Sequence, residues 1–144
     1  MYVFKPSMQP NQPTLPLPLA FAAVRAGFPS PAEDYLEAGI DLNAYLVDDP
    51  PASFLVRVRG DSMQGAGITD GDVLVVDKGL TAQHGDIVVA VVDGECTVKR
   101  LSLQRGRCQL LAENPAYPAI ELADGQELQV WGVVVSCAKR LRRR

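Results

Sequence analysis

From Phe54 onward, apolar residues come in short runs broken by turn signals, without the three-and-four spacing of an amphipathic helix. Phe54 to Arg59, Val73 to Asp77, Ile87 to Val92 and Cys96 to Leu101 each read as a strand. Cys108 to Ala112, Ala119 to Leu122 and Val130 to Cys137 bring the total to about seven. Asp93-Gly94 marks a tight hairpin between two of these runs, because glycine accepts the positive φ that such a turn needs. The pattern predicts an all-β (mainly β) fold, a compact sheet or barrel-like body.

The first fifty residues differ, holding eight of the eleven prolines. Proline fixes φ and removes a backbone donor, so this stretch is expected to form no long helix or central strand. Two parts are therefore predicted: an extended proline-rich arm over 1–50 and a β domain over 51–144. Within the arm, Ser30 as N-cap, Pro31 and Glu33 predict a short helix near Ala32 to Ala38. A second brief helical turn is predicted over Asp41 to Val47. An arm of this kind is expected to be a mobile tether whose bonds proteases reach.

Charge changes the picture of partners. The net charge of −3 hides a basic end: residues 139–144 carry 5 of the 14 cations, leaving 9 against 17 acids elsewhere. Phosphate would repel so acidic a body, so direct nucleic-acid binding by it is not expected. The terminal run reads as a solvated tail that is free to touch an acidic partner. Cys96, Cys108 and Cys137 form no Cys-x-x-Cys pair, and with one histidine no zinc set can be assembled. No metal or cofactor is expected. Free thiols fit a reducing cytoplasm, where cysteine is expected to behave as a small buried hydrophobe. The apolar stretch Leu15 to Val24 is cut by Pro16 and Pro18 and followed by Arg25, so neither a signal peptide nor a membrane span is expected.

The candidate chemistry centres on Ser62, in Gly60-Asp61-Ser62-Met63 at the end of a strand-like run. A serine hydroxyl needs a base to take its proton. His84, in a turn between strands, reads as an exposed turn residue. A neutral lysine can replace histidine, because burial disfavours its charged form. Strand alternation puts Thr97, Lys99 and Leu101 on one face, so Lys99 shares its side with an apolar residue. Arg100 points the other way and cannot titrate usefully. Asp61, adjacent to Ser62, should face away from it and reads as structural. Taken singly, these signals are weak, since Lys99 also fits a surface lysine and Gly-Asp-Ser-Met a plain turn.

In combination the residues resemble the LexA/UmuD family of self-cleaving serine–lysine peptidases. The matching motifs are Gly60-Asp61-Ser62-Met63, Ile68 to Leu74, His84 to Ala90, Asp93-Gly94-Glu95, Thr97-Val98-Lys99-Arg100-Leu101, Asn114-Pro115-Ala116-Tyr117 and Trp131-Gly132-Val133-Val134. The similarity spans roughly residues 21–137. Gly27 to Ala32 followed by Asp34-Tyr35 resembles the UmuD-like branch just after its cleavage point, and the roughly 26 proline-rich residues before Ala26-Gly27 are not expected to supply a LexA-type reading head. The chain departs from that branch in its longer start, its basic end and an alanine at position 26, which is itself LexA-like.

The resemblance implies that Ser62 attacks the carbonyl carbon of Ala26 and that Lys99 is the general base, later returning a proton to the amine of Gly27. Backbone N–H groups of Ser62 and Met63 would be the oxyanion donors, the Met63 side chain being packing. It further implies slow self-cleavage, stimulated by a RecA filament on single-stranded DNA. The truncated homodimer would then act as accessory subunit to the catalytic subunit of an error-prone DNA polymerase (polymerase V) in SOS mutagenesis. Other readings are a non-enzymatic polymerase- or repressor-binding module with a relic site, a signal-peptidase-like enzyme, which needs a membrane anchor, and a repressor, which needs a reading head.

Overall fold

A computed structural model describes residues 2–4, 17–20, 36–123 and 128–142. The chain divides into two compact units, Met8–Asp48 and Met1–Ser7 with Asp49–Arg144.

The larger unit is one antiparallel sheet. Its strands are β1 (Tyr2–Phe4), β4 (Ser53–Arg57), β5 (Val73–Asp77), β6 (Ile87–Val92), β7 (Glu95–Gln104), β8 (Arg107–Leu111), β9 (Ile120–Glu121) and β10 (Leu128–Ala138). They lie in the order β1-β4-β5-β10-β6-β7-β8-β9. Every strand predicted from the apolar runs is present, with ends shifted by a few residues. Asp93 and Gly94, at φ 49° and 84°, make the two-residue turn from β6 to β7. Arg105 and Gly106, at 52° and 70°, make a second such turn, which carries β7 and β8 beyond their expected ends.

The valine-rich runs are continuous rather than alternating because the central strands are covered on both faces. Val76 and Val89 belong to a core with Val56, Met63, Ile68 and Leu74. Their neighbours Val88 and Ala90 belong to another core with Leu101, Leu110 and Val133. Gly132, on β10, lies where a Cβ would come within 2.8 Å of the Asp77 carbonyl oxygen, so the close approach of β10 to the end of its neighbour β5 needs its bare backbone.

The smaller unit contains β2 (Leu17–Ala20), β3 (Leu36–Ile40) and α1 (Leu42–Leu46). β2 pairs antiparallel with β3, and the register slips between Leu17 and Leu19. Pro18 occupies that irregularity, a place where a missing N–H disrupts no regular ladder. The short helix α1 forms where predicted, and the Asp41 carboxylate accepts the Asn43 N–H at 3.0 Å as its cap.

Three expectations are corrected. Leu36 to Ala38 are strand rather than the end of a helix, because pairing with β2 outweighs the local capping signals; residues 32–35 lie outside the described residues. Tyr2 to Phe4 join the body's sheet, whereas the first fifty residues were expected to form an arm. Cys96 and Cys137 are exposed rather than buried, although all three thiols are free. Among the described residues, no helix is long and apolar enough to cross a membrane, and no group of three His, Cys, Asp or Glu could hold a metal ion.

Candidate active site

Ser62 stands in the loop that follows β4, and Lys99 in the middle of β7. The loop is fixed first by its ends. Val58 donates its N–H to the Asp72 carbonyl at 2.8 Å, and the Gly60 N–H reaches the Asp70 carboxylate at 2.8 Å. Beyond Ser62, Met63 is 2% exposed in the core, so the side chain after the serine anchors the loop by packing.

The segment after β8 holds the loop from the other side. Glu113 donates its N–H to the Ser62 carbonyl at 2.9 Å and accepts the Gly65 N–H at 2.8 Å. The approach is close enough that a Cβ at Gly65 would sit 2.6 Å from the Glu113 oxygen, which is why glycine stands there. The Glu113 carboxylate is in turn paired with Arg100 Nε at 2.5 Å, and Arg100 also donates to the Gly85 carbonyl at 2.6 Å. Thus Arg100, on the opposite face of β7 from Lys99, braces the segment that grips Ser62. Asp61 stands in a bend and turn rather than a strand, so alternation does not govern it. It is held away from Ser62 by other partners: its carboxylate accepts the Tyr117 hydroxyl at 2.6 Å and its carbonyl accepts the Asn114 amide at 3.0 Å.

Lys99 Nζ lies 3.1 Å from Ser62 Oγ, 2.7 Å from Thr97 Oγ1 and 3.1 Å from the Val98 carbonyl. Only 8% of the residue is exposed, and burial pushes the pKa of its amine down from the ordinary value of 10.5. The three contacts suit either protonation state. An ammonium donates to all three oxygens. A neutral amine donates to Val98 and Thr97 and turns its lone pair to the Ser62 O–H. Among the described residues neither the Ser62 nor the Met63 N–H has a partner within the fold, so both donors are free to meet a developing oxyanion.

The pair opens on a cleft of about 200 Å³ lined by Arg59, Asp61, Ser62, Cys96, Lys99 and Tyr117, among others. Cys96 is the other nucleophile here; although the residue as a whole is exposed, partial desolvation of its thiol in the cleft raises its pKa from the ordinary 9.0, so it stays protonated near neutral pH. His84 lies elsewhere: its Nδ1 accepts the Leu103 N–H at 3.0 Å. Ala26 and Gly27 lie outside the described residues. Two participants escaped sequence reasoning. Thr97 was visible as a same-face neighbour of Lys99 without a role. Glu113 carried no signal at all, since its contacts with the Ser62 loop and Arg100 exist only once the sheet has formed.

The Peptidase S24-like family matches residues 18–135. Protein SamA of Salmonella typhimurium is 48% identical over 137 residues, which is 95% of this chain and 94% of that protein. Protein MucA of Escherichia coli is 44% identical over 119 residues, covering 82% of this chain and 81% of its own length. The LexA repressor of Halorhodospira halophila is 42% identical over 132 residues, covering 91% of this chain and 58% of the repressor.

Proposed function

The chain belongs to the Peptidase S24-like family, as a UmuD-like member of its LexA/UmuD group, and from that premise we propose that it is a serine endopeptidase that cuts its own Ala26–Gly27 bond. A RecA filament on single-stranded DNA promotes the cut in the cytoplasm. The truncated homodimer then serves as accessory subunit of an error-prone translesion DNA polymerase in the SOS response.

One observation carries the catalytic part: a buried lysine amine 3.1 Å from a serine hydroxyl at the floor of a cleft. In the proposed reaction neutral Lys99 takes the Ser62 proton as Oγ attacks the Ala26 carbonyl carbon. The tetrahedral oxyanion is met by the N–H groups of Ser62 and Met63. Collapse breaks the Ala26–Gly27 bond, Lys99 returns the proton to the Gly27 amine, and Ala26 is left esterified to Ser62. Water, deprotonated by Lys99, hydrolyses the ester. Holding the bond near Oγ is an equilibrium, so a partner that favours the docked arm raises the rate without adding a catalytic group.

Incubation of the purified protein at alkaline pH, followed by intact-mass measurement, tests this. A single break between Ala26 and Gly27, absent in Ser62→Ala and Lys99→Ala but present in His84→Ala, is the expected result. No break in any sample, with or without RecA filaments, points instead to an interaction module with a relic site.

A further inference from the structure

The N-terminal end of the chain is held by strand pairing at two separate places. β1 lies along the outer edge of β4, with Tyr2 opposite Arg57, Val3 opposite Val56 and Phe4 opposite Leu55. β2 pairs with β3, with Leu17 opposite Ile40 and Ala20 opposite Leu36. In the sequence, Ala26 and Gly27 fall between Ala20 and Leu36. A cut there separates β1 and β2 from β4 and β3 covalently, yet breaks no pairing in either ladder.

We propose that the edges of β4 and β3 are binding sites for extended peptide, whose occupant is the N-terminal product, residues 1–26. Cleavage then yields a nicked complex, and loss of the fragment is a second step with its own equilibrium. The position of the cut rests on the function proposed above; the strand-binding edges do not.

The physical case is one of avidity. Each ladder is short, three or four residues, and backbone pairing of that length is weak by itself. The two are joined within the fragment by residues 5–16, so binding of one makes the other intramolecular. Once the chain is cut, retention depends on concentration, which it cannot while the arm is covalently attached. β1 also caps what would otherwise be a row of unpaired backbone groups on β4, so its departure changes the surface of the sheet.

The test separates binding from self-cleavage. A site-specific protease sequence is inserted between Ala26 and Gly27 in full-length Ser62→Ala, the added protease cuts it, and native mass spectrometry follows a dilution series. The fragment is expected to stay bound at micromolar concentration and to leave on dilution. Replacing both Val3 and Phe4 by proline should weaken retention by about 100-fold, since neighbouring strand residues send their N–H groups opposite ways and one of the two must face β4. A fragment that is free as soon as it is cut, or retained equally with both prolines, overturns the proposal. If the proline variant melts early before the cut, an excess of synthetic peptide of residues 1–26, which carries both strands, is added to the parental nicked chain. It should displace the fragment where a scrambled peptide does not, and equal behaviour of the two peptides overturns the proposal. Whether wild-type protein cuts itself has no bearing on any of these outcomes.

Discussion

Glu113 grips Ser62 through its backbone, donating its N–H to the serine carbonyl at 2.9 Å, while its carboxylate is held by Arg100. The nucleophile's loop is thereby tied to the strand that bears Lys99, one residue away from the proposed base.

That bracing predicts a positional effect without an electrostatic one. Glu113→Ala and Arg100→Ala should each slow cleavage by about 10- to 100-fold, because small misplacements of a nucleophile are costly. Both side chains are about one third exposed, so the lost ion pair should cost stability only about 1 kcal/mol or less. Cleavage kinetics beside thermal melts check this. The pH dependence should keep its midpoint, since Lys99 itself is untouched.

Thr97→Val should behave differently. The Thr97 hydroxyl, 2.7 Å from Nζ, satisfies the charged amine, and a methyl group in its place disfavours that charge. The variant's rate should therefore level off at a lower pH than the parent's. Its plateau should fall about tenfold, as the amine loses one of the two partners that aim its lone pair. An unchanged midpoint would show that Thr97 does not touch the working base.

Lys99→Met should abolish cleavage and stabilise the fold. Burial lowers the folded-state pKa of Lys99, so the charged form carries a cost at every pH below its unfolded value. That cost is fully present below the folded pKa and disappears as pH rises past 10.5. Denaturant melts at neutral pH should show the variant more stable by about 1 kcal/mol, with the gain shrinking at alkaline pH.

Away from the dyad, Asp72 helps fix the start of the Ser62 loop, its carbonyl accepting the Val58 N–H. Burial would raise its pKa, but the Lys139 ammonium and the Thr69 N–H outweigh that and hold it below 3.8. Its contribution is then complete above the unfolded value and is lost as pH falls through the lower, folded one. Asp72→Asn should cost about 1–3 kcal/mol at neutral pH and flatten the acid limb of a stability profile. Urea melts from neutral to acid pH check both.

Much of this architecture was legible because the body is built from short local devices. Asp93-Gly94 states its turn in two residues, and the adjoining valine runs can only be strands. Arg105-Gly106 makes the same turn but hides it, since arginine seldom adopts positive φ, and so the lengths of β7 and β8 were misread. Leu36 to Ala38 failed for another reason: Ser30, Pro31 and Glu33 argue for a helix locally, while the strand's partner lies far back in the chain. At the site, alternation placed Lys99 on the same face as the buried Leu101, but it did not apply to Asp61, which stands in a turn and lines the same cleft as Ser62. The same reasoning could not reach Glu113, whose N–H and carbonyl hold the Ser62 loop and whose carboxylate meets Arg100 only once the sheet has formed.

The central claim is that an uncharged amine at Lys99 draws the proton from Ser62, and the pH dependence of unassisted cleavage tests it most directly. The rate should rise about tenfold per pH unit from neutrality, as the neutral fraction grows, and level off below 10.5. A rate that stays flat from neutral to alkaline pH, or cleavage that survives in Lys99→Met, would contradict it.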